Sequence, residues 1–300
     1  MSQVTASSVD VTAQDLSGLV SDLFTLTKPR LSLLVIITAG GGLWLSGAAT
    51  SLTLALIAVG GTTMVVAAAN TLNNYLERES DKDMARTARR PLPSGRMAPS
   101  VALAFGLLLS AISIPLLTFA TTPLAGLLAA IALVLYVLVY TPLKRRSSMN
   151  TLVGAIPGAM PPLIGWTAAT GTLDAGGLVL FALLFLWQIP HSLAITIYRQ
   201  KEYDNAGLVM LPSEHGIEIT RRQMLLYTFA VVPLPFAMFI TNIAGMPTLL
   251  VGAALGLWWF GKAWRGYQNN GGARWARKFF VASLIYLSGM FAIMSLDMLI

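Results

Sequence analysis

The stretch SLTLALIAVGGTTMVVAAA (51–69), with its continuation NTLNNYLERESDKDMARTARRPLPSG (70–95), decides how this chain folds. The first nineteen residues carry no charge. As a helix rising 1.5 Å per residue they span roughly 30 Å, the thickness of a hydrocarbon core. Then, in the fourteen residues from Glu77 to Arg90, come four acids and five bases. A membrane helix that ends in dense charge predicts a bundle with chemistry at one face.

Composition extends that reading to the whole chain. Of 300 residues, 55% are hydrophobic and only 11% charged, with a mean hydropathy of +0.69. A soluble domain carries about 25% charged residues. The expected fold class is therefore all-α, a polytopic membrane protein whose partner is the lipid bilayer. The net charge of +7 is read as membrane topology and not as a nucleic-acid surface. With no cysteine, disulfides, thiolate metal sites and cysteine nucleophiles are excluded. No basic stretch precedes an apolar core at the N-terminus, so no secretory signal is expected. Residues 1–25 read as a polar tail and 26–300 as a single transmembrane domain.

Nine apolar segments are long enough to cross, at about 31–48, 52–74, 99–119, 122–141, 150–169, 175–198, 223–243, 246–264 and 277–297. All 20 Lys and Arg fall before the first segment or at the ends of alternate loops. The opposite loops, near 48–51, 119–122, 169–175 and 243–246, have none. This predicts a cytoplasmic N-terminus and a C-terminus on the opposite side; the membrane is expected to be the cell's inner one. Eleven of 13 acids lie on the basic side or in the N-terminal tail; Asp174 and Asp297 are the exceptions.

If the second segment stays helical past Leu76, Asn70, Asn74, Glu77 and Asp81 fall on one stripe, with Asn73 beside it. Two like charges four apart destabilise a helix. Either a divalent cation or the interleaved Arg78, Lys82 and Arg86 would offset them. Mg²⁺ suits the first reading, since it uses one or two carboxylates plus substrate phosphates. His191, Ile195, Tyr198 and Glu202 repeat the spacing, offset by 121 residues. That suggests a weak internal repeat, two four-helix units plus a ninth helix. Bases around two acidic helix ends suit a diphosphate ester, with Lys28, Arg86, Arg89, Arg90, Lys144, Arg145 and Arg199 as candidate phosphate binders.

N-x-x-x-D/E-x-x-x-D followed by R-T-x-x-R-P-L resembles the signature of the UbiA-type intramembrane prenyltransferases. Here it stands as Asn73, Glu77 and Asp81, then Arg86-Thr87-Ala88-Arg89-Arg90-Pro91-Leu92. YTPLKRRSSMNTLVGAIPGAMPPLIGW (140–166), WQIPHS (187–192) and EYDNAGLVMLP (202–212) resemble the branch of that family that farnesylates protohaem. The likeness runs from about residue 26 to the end. It implies a UbiA-type bundle and an Mg²⁺-dependent enzyme with farnesyl diphosphate and haem b as substrates. The product would be haem O, with a haem A synthase as downstream partner. It also implies that Asn73, Glu77, Asp81 and Glu202 hold metal, with His191 and Tyr198 as further catalytic candidates. Two departures stand out. The middle acid is Glu77 where the family commonly has Asp, and the second, usually aspartate-rich motif keeps only Glu202 and Asp204.

His191, after Pro190 in an apolar segment, has three readings: a haem-iron ligand, a base that positions water, or a hydrogen bond to a neighbouring helix. A UbiA-type enzyme acting on an aromatic quinone precursor would share the fold and metal chemistry, but would be favoured by an aspartate-rich second motif. A transporter would place its polar site near the bilayer midplane. A non-catalytic oxidase-assembly factor would not need the intact Asn73, Glu77 and Asp81.

Overall fold

The computed structural model describes residues 13–300; the first twelve residues of the predicted tail lie outside the described residues. Among the described residues there are helices and no strand. A surface helix, α1 (Ala13–Leu26), leads into α2 (Pro29–Leu45), α3 (Leu52–Glu77), α4 (Pro99–Ala120), α5 (Pro123–Leu143) and α6 (Asn150–Thr170). Then come α7 (Ala175–Tyr198), the short α8 (Gln200–Asn205), α9 (Leu211–Ile240), α10 (Met246–Gln268) and α11 (Ala273–Asp297).

A helix occupies each of the nine apolar segments. Seven of them are long and apolar enough to cross a membrane. The other two are α2, whose apolar part is only Ser32–Leu45, and α10, which is long enough but less apolar and carries Lys262 and Arg265 in its last turns. Large apolar side chains such as Leu56, Leu107, Phe119 and Leu138 stay exposed on the outer surface, where lipid tails would cover them.

The helix ends follow from local chemistry. Pro29, Pro99 and Pro123 open α2, α4 and α5, where a missing N–H costs nothing. Ser51 and Thr122 cap α3 and α5 by accepting from the amides of Leu54 and Ala125. The two acids on the otherwise uncharged side are caps as well. Asp174 accepts from Gly177 N at the start of α7. Asp297 reaches back from the end of α11 to the amides of Gly245 and Thr248 at the start of α10.

Buried apolar side chains form two large clusters. One comes mainly from α3 and α5, including Val65 and Leu133, with Leu117 of α4. The other comes from α7, α9, α10 and α11, including Leu183, Met224, Trp259 and Tyr286. Helix α6 contributes to both and is the most enclosed of the seven spans. Its contact with α2 is backbone to backbone. A Cβ on Gly42 would overlap the Pro162 carbonyl oxygen, and one on Gly165 would overlap that of Ala39. Glycine is needed there for close approach, as expected between helices in lipid.

Candidate active site

Between α2, α3 and α5 on one side and α6 and α7 on the other lies a cavity of about 600 Å³. Its deep walls are apolar, with Val35, Val65, Leu133, Pro161 and Leu184. Val65 lies twelve residues before Glu77 on α3, so the apolar part reaches about 18 Å below the charged end. The charged end carries Lys28, Arg86, Arg90, Lys144 and Arg199 against Glu77 and Asp81, five bases to two acids. Above it the two polar loops meet, with Met84 packed against Ala206, Leu208 and Met210.

The acids are placed by a helix that stops. Helix α3 ends at Glu77, and Ser80–Asp83 is a 3₁₀ turn. The expected continuous stripe to Asp81 is therefore not formed. Ser80 Oγ donates to the Glu77 carbonyl and Thr87 Oγ1 to the Asp81 carbonyl, which bends the chain across the end of the cavity. Asp81 is buried there, 2.9 Å from the Arg90 guanidinium, which also donates to Asn74 Oδ1. Glu77 pairs with Lys144 at 2.8 Å.

Asparagines one turn apart do the rest. Asn70 and Asn74 donate to the carbonyls of Thr27 and Leu26 and fix the chain that leads to Lys28. Lys28 has a left-handed backbone (φ 53°, ψ 61°) immediately before Pro29, a conformation that costs about 1–3 kcal/mol. This places its ammonium 2.9 Å from Asn73 Oδ1. Removal from bulk water, then the like charges of Arg90 and Lys144, push Lys28 down to about 7, against the opposing pull of Glu77 and Asp81. Burial also works against the Lys144 charge, but Tyr140 and the Glu77 carboxylate outweigh it and hold that pKa above the ordinary lysine value.

Asn73 Nδ2 donates to Thr141 Oγ1 at 3.0 Å, and Thr141 donates to the Tyr136 carbonyl at 2.9 Å. That carbonyl belongs to a π-helical segment, Leu135–Tyr140, within α5. Such segments are frequent at functional sites. Here it brings Tyr136 and Tyr140 onto the cavity wall with ring centroids 5.1 Å apart, and Lys144 Nζ lies 4.6 Å above the Tyr140 ring.

An apolar tunnel, closed at one end by paired acids and surplus bases, is a receptacle for a long apolar chain with an anionic head. Comparison with known proteins agrees. Residues 33–285 match the model of the UbiA prenyltransferase family. The chain belongs to that family.

The Myxococcus xanthus (strain DK1622) protein named protoheme IX farnesyltransferase is 49% identical over 285 residues, 95% of this chain and 97% of that one. Its namesake in Anaeromyxobacter dehalogenans (strain 2CP-C) is 48% identical over 276 residues, 92% of this chain and 93% of that one. Among solved structures, a UbiA homolog from Aeropyrum pernix K1 aligns with a TM-score of 0.72 at 22% identity, over 89% of this chain and 98% of that one. A UbiA homolog from Archaeoglobus fulgidus bound to GPP and Mg²⁺ aligns with a TM-score of 0.65 at 15% identity, over 91% and 99%. At these identities the structures speak for the fold.

Of the residues predicted for this UbiA-family site, Asn73, Glu77, Asp81, Lys28, Arg86, Arg90, Lys144, Tyr198 and Arg199 line the cavity. Arg89 and Arg145 are exposed and off its wall. Glu202 is off it too. Helix α7 stops at Tyr198 and α8 starts a new direction, so both Glu202 oxygens accept from Arg199, at 2.8 and 2.9 Å. His191 is also off the wall. Its Nδ1 lies 2.7 Å from Ser283 Oγ on α11, and its ring stacks 4.5 Å from that of Trp187 and lies tilted 4.6 Å from that of Phe280. This contact ties α7 to α11. Tyr136 and Gln188, both on the wall, were missed. The i, i+4 pairing of Tyr136 with Tyr140 was the available signal for the first, and the place of Gln188 within WQIPHS (187–192) for the second.

Replacing Thr141 by valine should lower the stability of the purified protein by about 1–3 kcal/mol, because it strands the buried Asn73 amide. A thermal melt checks this, and an unchanged midpoint would remove Thr141 from the network.

Proposed function

We propose that this chain transfers the farnesyl group of farnesyl diphosphate to the 2-vinyl group of protohaem IX, with addition of water, giving haem O and diphosphate. The acceptor and prenyl length come from kinship. Relatives bearing the name protoheme IX farnesyltransferase are 37–50% identical over most of this chain. The observation that carries the chemistry is the excess of positive charge at one end of an apolar cavity.

Among the described residues, no group of three His, Asp or Glu could hold a metal by itself. The donor set fits Mg²⁺ that arrives with a diphosphate, since that ion takes one or two carboxylates plus phosphate oxygens. Asn73, Glu77 and Asp81 are the residues that would hold it. When bound, Mg²⁺ neutralises charge on the leaving diphosphate. Lys28, Arg86, Arg90 and Lys144 bind the same phosphates and favour departure of the anion. Glu202 acts at one remove, by orienting Arg199. The apolar walls keep water from the allylic cation until the vinyl carbon has bonded to C1. The rings of Tyr136 and Tyr140 stand where they can face that cation. Water then adds to the new cation and its proton leaves with diphosphate. In the membrane, the basic loops and the N-terminus lie on the cytoplasmic side.

The test is a haem profile. The chain is expressed in cells lacking their own haem O synthase, and extracted haems are separated with mass detection. A species heavier than haem b by one farnesyl plus one water is expected. Haem b alone, with folded protein in the membrane, would reject the acceptor and direct the assay to aromatic quinone precursors.

A further inference from the structure

We infer that Arg277 on α11, with the ring of Tyr198, forms a binding site for the carboxylates of the acceptor at the α11 edge of the charged end, beyond Arg199 and apart from Lys28, Arg90 and Lys144. The inference rests on the acceptor proposed above.

Arg277 sits in the second turn of α11, exposed, with its guanidinium carbon 5.5 Å from the centroid of the Tyr198 ring. Among the described residues it has no acidic partner. Arg199, 5.7 Å from the same ring, is engaged by both oxygens of Glu202. Phe280, one turn below Arg277, packs edge-on against Tyr198 at 6.0 Å and holds the ring upright between the two helices. A guanidinium over a half-buried ring at the surface is only weakly held. Its N–H fork remains free for the bidentate contact that arginine makes with a carboxylate.

The chemistry demands two such places. Both substrates are anions: a diphosphate, and a macrocycle with two propionate carboxylates. Lys28, Arg90 and Lys144 answer the first, close to Glu77 and Asp81. A second anion at that pole would meet those acids and the diphosphate itself. Arg277 is not on the cavity wall, whereas the Tyr198 it touches is. It therefore marks the α7–α11 side as the edge where the acceptor's carboxylates rest, with the reactive side of the ring system turned inward past Tyr198.

The experiment is a binding titration with the full chain in nanodiscs of zwitterionic lipid. Protohaem and its dimethyl ester are titrated while the Soret band is followed. Wild type should bind the free diacid more tightly than the ester. Arg277→Gln should weaken diacid binding about tenfold and leave the ester unchanged. Arg277→Lys should recover part of the loss, and Arg274→Gln, exposed on the same helix and off the Tyr198 ring, should match wild type. In turnover, Arg277→Gln should raise KM for haem while KM for farnesyl diphosphate stays within about twofold.

Equal weakening of both haem forms, no change in either, or the same effect from Arg274→Gln would overturn the site. So would an effect that appears only in discs of anionic lipid, which would make Arg277 a headgroup contact. Arg277-dependent haem binding without haem O formation would reject the proposed reaction and leave the site standing. Haem O formation with an unaltered KM in Arg277→Gln would do the reverse.

Discussion

Asp81→Asn is expected to reduce farnesyl transfer about a hundred- to a thousandfold, the range found when one stabilising group aimed at developing charge is removed. The reason is positional. Asp81 is buried at the end of the cavity, and its carboxylate is held by Arg90 at 2.9 Å. Asparagine keeps the size and can still accept from Arg90, so the turn at Ser80–Asp83 should persist. It loses the charge that a cation would need. Breaking a buried ion pair costs more than losing a surface one, so protein level and thermal midpoint must be measured beside activity. Asp83→Asn is the control, since Asp83 is exposed and off the cavity wall. It should stay within about twofold of wild type. Retained turnover in Asp81→Asn, with the wild-type dependence on Mg²⁺, would remove Asp81 from the site.

The second large effect concerns the fold. Gly165→Ala should destabilise the protein by ~3 kcal/mol, at the upper end for overpacking, because the new methyl meets backbone and no flexible side chain. The contact is with the Ala39 carbonyl on α2, and moving it would shift the helix that begins beside Lys28. Activity should fall with stability for that reason. Gly60→Ala on α3 is the contrast. Nothing lies within 4 Å of a Cβ there, and alanine favours helix by about 1 kcal/mol, so stability should hold or rise. If the two variants melt alike, the close approach of α2 and α6 does not limit stability.

Several readings from sequence were about solvent, and these located the helices. Apolar runs mark where lipid would lie, and a helix occupies each of the nine. They marked helix length less well. Helix α9 begins at Leu211, twelve residues before the apolar run at 223, and is broken at Gly216, where φ is 87°. Polar residues form helix outside the hydrocarbon as readily as apolar ones do inside, so hydropathy cannot see that extension. The pairing of Asn73, Glu77 and Asp81 at one helix end was legible because spacing is local. The 3₁₀ turn that carries Asp81 and the new direction that takes Glu202 off the wall were not. Both depend on side-chain bonds at the point where a helix could equally have continued, Ser80 and Thr87 to backbone in the first and Arg199 to Glu202 in the second.

What this sequence determined by itself is a membrane-embedded helical protein with its acids and surplus bases gathered at one end. Burial of apolar residues and exclusion of charge from lipid follow from composition and order alone. Only the tertiary structure decided which of those charges meet. Lys28 reaches Asn73 across 45 positions, Lys144 meets Glu77, and α11 brings Arg277 to Tyr198. Those contacts depend on how closely α2 and α6 approach and where α3 and α7 stop. The first is settled by packing between distant segments and the second by side-chain bonds at the helix ends, and neither shows in the pattern of apolar residues.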